Sequence, residues 1–147
     1  MSRIAPANQG HLRHIVDGLN DIHGILFNAH ILFSLILGIW ATGMAVTGRS
    51  ISGNFWGAIA TITVLAVLVT LVGVVMALSG LRIVRMTIYF LYMAWLVVIM
   101  PGLFTLLRGR DDRSAAIAFA ALSFFNAATS FSMWTRGLVG PWLAPEA

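Results

Sequence analysis

With 147 residues, 59% of them hydrophobic and only 10% charged, the chain is far more apolar than a soluble domain, where charge runs near about 25%. The net charge of +4 comes from nine basic residues, all Arg, against five acidic ones. The Arg fall at loops and helix ends rather than on one solvated face, which excludes a nucleic-acid binder. No Cys is present, which excludes disulfides, thiolate metal sites, iron–sulfur clusters and thiol redox chemistry.

In chain order, the first patterned segment is about 11–23. Leu12, Ile15, Val16, Leu19 and Ile22 recur at helical spacing, with Arg13, His14, Asp17 and Asp21 mainly on the other side. This predicts either a short amphipathic helix lying on the membrane or on a partner, or a helical extension of the span that follows. Gly24 marks the place where the segment would bend into the membrane.

The first apolar run extends from about Gly24 to about Thr47 and stops at Gly48-Arg49-Ser50. It is too long for a signal-peptide core and reads as a retained span. The second run covers about 54–79 and closes at Gly80. The third covers about 86–107, between Arg82 and Arg85 on one side and Arg108 on the other, and carries Pro101 inside it. The fourth covers about 114–135 and closes at Arg136-Gly137, with Asp111, Asp112 and Ser114 as candidate N-caps. The tail from Gly140 is too rich in Pro for a helix, and Trp142 is expected at the membrane interface.

A span needs about 20 apolar residues, and backbone exposed to lipid must satisfy its own hydrogen bonds. The fold class is therefore an all-α membrane protein. It has one domain over 1–147, with four antiparallel transmembrane helices joined by loops of about six residues. Orientation is nearly balanced. With Arg3 set aside, Arg13, Arg82, Arg85 and Arg136 oppose Arg49, Arg108, Arg110 and Arg113. The expectation is that both termini face the cytoplasm.

Small residues mark where helices should meet closely: Gly38 and Thr42 on the first, Gly73 and Ala77 on the second. The fourth is small along most of its length, at Ala115, Ala116, Ala118, Ala120, Ala121, Ala127 and Ala128, and is expected to pack tightly. The second is an Ile/Val/Leu-rich surface suited to lipid or to a partner's apolar face.

None of the four runs contains Asp, Glu, Lys or Arg. Proton-coupled transport, carboxylate-ligated metal catalysis and lipid transfer by paired Asp all need such groups inside the membrane. Helical rise places His30 roughly 9 Å in from the side of the termini, with Tyr92 at a similar depth and Asn126 at roughly 13 Å. Asn28, His30, Tyr92, Asn126 and Ser130 thus form a candidate polar layer, with His23 nearer the surface. The layer reads as interhelical hydrogen bonding, or as the edge of a site for a quinone, a pigment or a lipid. His30, Tyr92 and Asn126 are the candidate cofactor-binding residues. Haem coordination by His30 is a further reading, but no other run offers a His, and a Met such as Met93 would have to be the second ligand. Leu26, four residues before His30, stands where a light-harvesting pigment site usually has a small residue. A small channel or transporter has least support, because no run shows a continuous polar stripe.

Two stretches carry a resemblance. They are Leu26-Phe-Asn-Ala-His-Ile-Leu-Phe-Ser34, and Tyr89-Phe-Leu-Tyr-Met-Ala-Trp95 followed by Met100-Pro-Gly-Leu-Phe104 and Arg108-Gly-Arg-Asp-Asp-Arg113. The chain resembles small four-helix membrane proteins of filamentous phototrophic bacteria, among them accessory subunits of electron-transfer assemblies such as the quinol-oxidising alternative complex III. The resemblance implies a non-catalytic subunit of the bacterial inner membrane, seated beside other integral subunits that carry the haems and clusters. It implies no cofactor of the chain's own, with bound lipid or quinone as its ligands.

Overall fold

A computed structural model describes residues 6–144. Among these it forms four helices: α1 Pro6–Thr47, α2 Gly53–Leu78, α3 Met86–Leu106 and α4 Arg113–Thr135. All four are long and apolar enough to cross a membrane, and the span limits read from the sequence fall within a residue or so of α2, α3 and α4.

The helix ends follow from local chemistry. The Ser52 hydroxyl accepts the Phe55 N–H at 3.4 Å to start α2, and Asp112 Oδ1 accepts the Ala115 N–H at 2.9 Å to start α4. Asp112 is thus the cap among the three candidates. The opposite ends of α1 and α4 stop at Gly48 and Gly137, at φ 66° and 65°, a left-handed backbone that L side chains resist. Beyond each glycine the chain turns back by one bond, Arg49 N–H to Met44 O and Leu138 N–H to Met133 O, both 3.0 Å.

α1 differs most from expectation. It runs unbroken for 42 residues, about 63 Å at the helical rise and about twice the thickness of the hydrocarbon core. The amphipathic segment and the first span are therefore one element, without a break at Gly24. A glycine inside a helix costs only about 1 kcal/mol, and Val16 and Leu19 pack against the buried cluster on the near side of Gly24.

α1 lies along α4 and beside α2, and α2 packs on α3, whereas α3 and α4 scarcely touch. The bundle is consequently closed on three sides and open along the fourth. On α2, Ile59, Ile62, Ala66, Val69, Gly73 and Met76 face inward at helical spacing, while Val64, Leu68, Leu71 and Val75 face out. At the loop end away from the termini, Phe55 meets Trp40 and Phe119 edge-on, with centroids 5.5 and 5.8 Å apart. The Ile51 N–H donates to Asp111 O at 2.8 Å, tying the two loops of that end together.

Candidate functional site

Three polar regions emerge, and each has a different character. The first is a capped end on the side of the termini. Asn20 on α1 treats the Trp142 backbone as a strand would. Its Oδ1 accepts the Trp142 N–H at 2.8 Å and its Nδ2 donates to the Trp142 carbonyl at 3.1 Å. The next residue, Leu143, exchanges two backbone bonds with Arg82 in the α2–α3 loop, at 2.8 and 2.9 Å. These four bonds fold the tail over the bundle and insert the Trp142 ring. Trp142 is 1% exposed, so its ring is enclosed by the end of the bundle instead of facing lipid headgroups. Its indole N–H donates to Val139 O at 3.2 Å, which satisfies the only polar atom of the ring.

Trp142 packs edge-on against Tyr89 at 5.3 Å and His23 at 6.1 Å. The Tyr89 hydroxyl and His23 Nε2 are hydrogen-bonded at 2.6 Å. Gly73 makes room for this pair, since a Cβ there would overlap the Tyr89 hydroxyl. His23 is thus fully buried within the bundle, at the level of the folded-back tail.

The second region is a polar seam between α1 and α4. His30 Nδ1 lies 3.4 Å from the Ser130 hydroxyl across the interface. Ser34, Ser123 and Asn126 are completely buried. The hydroxyls of Ser34 and Ser123 and both polar atoms of Asn126 have no partner among the described residues. Thr42, Thr61, Thr63 and Thr70 behave differently, each donating to the carbonyl four residues back in its own helix. Asn28 is exposed on α1 and stands outside this seam.

The third region is the open side. Two cavities lie between α3 and α4, of about 700 Å³ and 490 Å³. Phe125 lines both, so they are consecutive stretches of one groove. The first has Tyr92, Thr129, Ser132 and Arg136 in its walls along with Trp95. The second is apolar, between Gly102 and Leu103 of α3 and Ala118 and Leu122 of α4.

The sequence-derived trio therefore divides. His30 and Asn126 lie in the buried seam, and Tyr92 lines the groove instead. His30 with Ser130 is the pair that the structure brings together. The His23–Tyr89–Trp142–Asn20 cluster was not foreseen as a unit. His23 and Tyr89 enter from the same membrane side, which was the one available signal, but a tail folded back over 122 residues of chain leaves no local trace.

The four membrane-length helices define the class, a multi-pass α-helical membrane protein. No protein-family model matches the chain, and neither a curated protein nor a solved structure matches it.

Proposed function

We propose that this chain is a non-catalytic accessory subunit of a bacterial membrane electron-transfer assembly, held in the inner membrane with its termini in the cytoplasm. The observation that carries this reading is the excess length of α1. The tail packs around Asn20 and His23, so residues 6–15 extend about 15 Å beyond the body of the bundle. Gly10, His11, Arg13, His14 and Ile15 are all exposed there.

The described side chains of this stretch are all exposed, and a helix end of that kind frays readily in water. This one presents Ile15 beside cationic and polar neighbours, which suits docking to the membrane-proximal surface of another subunit. The charge-free spans support a scaffold role, because the chemistry of electron or proton transfer then belongs to the partners. The link to electron transfer rests on the resemblance of Leu26–Ser34, Tyr89–Trp95, Met100–Phe104 and Arg108–Arg113 to accessory subunits of such assemblies.

The test is purification from native membranes in a mild detergent, with mass spectrometry and a visible spectrum of the product. Co-purification with haem-bearing integral subunits is expected. A lone chain, with the haem proteins of the same extract recovered elsewhere, contradicts the proposal.

A further inference from the structure

The groove between α3 and α4 has a polarity gradient along its length. Arg136 stands one residue past the end of α4, at the level where the helix leaves the hydrocarbon. Ser132 and Thr129 follow at one-turn intervals on α4, and Tyr92 faces them from α3. Below these the walls become wholly apolar, from Trp95 and Phe125 down to Leu122 and Gly102. From Arg136 to Phe125 the helical rise covers about 16 Å. That is the hydrocarbon depth of one leaflet, half of roughly 30 Å.

We infer that this groove is a binding site for an anionic phospholipid of the leaflet on the side of the termini. The phosphate lies against the Arg136 guanidinium, the ester region meets the hydroxyls of Ser132 and Tyr92, and one acyl chain runs over Trp95 and Phe125. Charge complementarity selects this occupant. A neutral quinone would leave Arg136 without a role, and a partner helix would bury Arg136 and the three hydroxyls against an apolar surface at a cost in desolvation. Among the described residues Arg136 forms no ion pair. A groove open to the bilayer along its whole side admits a lipid laterally, without any helix having to move. The second, apolar stretch gives the chain terminus room beyond Phe125.

Trp95 is 45% exposed and lines the groove, so it is a contact reporter. The full chain is reconstituted into phosphatidylcholine vesicles, and brominated-chain phosphatidylglycerol or brominated-chain phosphatidylcholine is titrated in. The Trp95→Phe variant serves to subtract the other tryptophans. Quenching of Trp95 is expected at about fivefold lower mole fraction of the anionic lipid, the factor one basic residue contributes at a membrane surface. Arg136→Gln, on the surface beyond α4, is expected to abolish that preference while leaving the melting temperature nearly unchanged. Ala128→Leu, which fills the groove without touching Arg136, is expected to abolish quenching by both lipids at low mole fraction. Equal quenching by the two lipids overturns the inference, as does a preference that survives in Arg136→Gln. Displacement of the brominated anionic lipid by menaquinone at equal mole fraction assigns the groove to a neutral amphiphile instead. Absence of quenching by either lipid overturns it as well, because the groove is then closed to lipid.

Discussion

α4 offers small residues to both of its neighbours. Toward α1 it presents Ala116, Ala120, Ser123 and Ala127, all buried. Toward α3 it presents Ala118, Ala121 and Ala128, which remain partly or fully exposed along the groove. Residue size alone therefore does not close an interface in a membrane, where lipid competes with protein for every apolar surface. The α1 side has complementary features that the α3 side lacks. Gly38 leaves just enough space for the Phe124 ring, and a Cβ there would approach it to 2.9 Å. His30 meets Ser130 across the same seam. On the α3 side the bulky Trp95 and Phe125 meet edge-on, with centroids 6.3 Å apart, and line a groove that stays open.

The strongest perturbation is expected at neither face but at the cap that fixes the end of the bundle. Trp142→Ala removes a fully buried ring and is expected to cost about 3–5 kcal/mol, read as a lower melting temperature in detergent. Little change would mean that the tail does not hold α1 against the α2–α3 loop. The two faces of α4 are compared directly by placing the same added bulk on each. Gly38→Leu is expected to cost about 1–3 kcal/mol by forcing Phe124 aside, and Ala128→Leu to stay within about 0.5 kcal/mol. Equal losses would erase the distinction between a closed and an open side.

A smaller effect of opposite sign sharpens the account of the seam. Asn126→Leu replaces a buried carboxamide without partners by an apolar side chain of similar volume. It is expected to stabilise the bundle by about 1 kcal/mol; a loss of stability would show that Asn126 has a bound partner such as a water. The smallest effect belongs to the loop that starts α4. The Ala115 N–H, and after it the Arg110 guanidinium, hold the Asp112 carboxyl below the usual carboxylate range. A depressed folded value gives stability that is present above the ordinary Asp pKa of about 3.9 and lost as pH falls through the folded value. The wild-type melting temperature should therefore drop more than that of Asp112→Asn as the pH is lowered from about 5 to 3. Parallel curves would contradict this.

Several span limits were legible in local chemistry, at Asp112 for the start of α4 and at Gly48 and Gly137 for the stops of α1 and α4, whereas the Ser52 cap of α2 was not singled out and α3 starts without a side-chain cap. The close approach at Gly38 and Gly73 was also legible, since a missing side chain in an apolar run has few other uses. The burial of Trp142 was not. It depends on Asn20 and Arg82, which are remote in sequence and carry no pattern that points to the tail. The separation of Tyr92 from His30 and Asn126 was hidden for a related reason. Depth follows from counting residues, but the facing of a helix whose surface is apolar all round does not. The continuity of α1 was one of two open alternatives, because Gly18 and Gly24 weaken a helix without being able to break it.

The most direct test of a subunit role addresses the projecting end of α1. The chain has no Cys, so Ile15→Cys installs a unique thiol on the exposed segment. Treatment of native membranes with a short maleimide-to-amine cross-linker, followed by mass spectrometry, identifies what lies within reach. The account predicts one dominant adduct with another integral membrane subunit, absent when the thiol is placed at Val46 near the far end of the same helix. Labelling of the thiol without any protein adduct, or equal adducts from both positions, would contradict it.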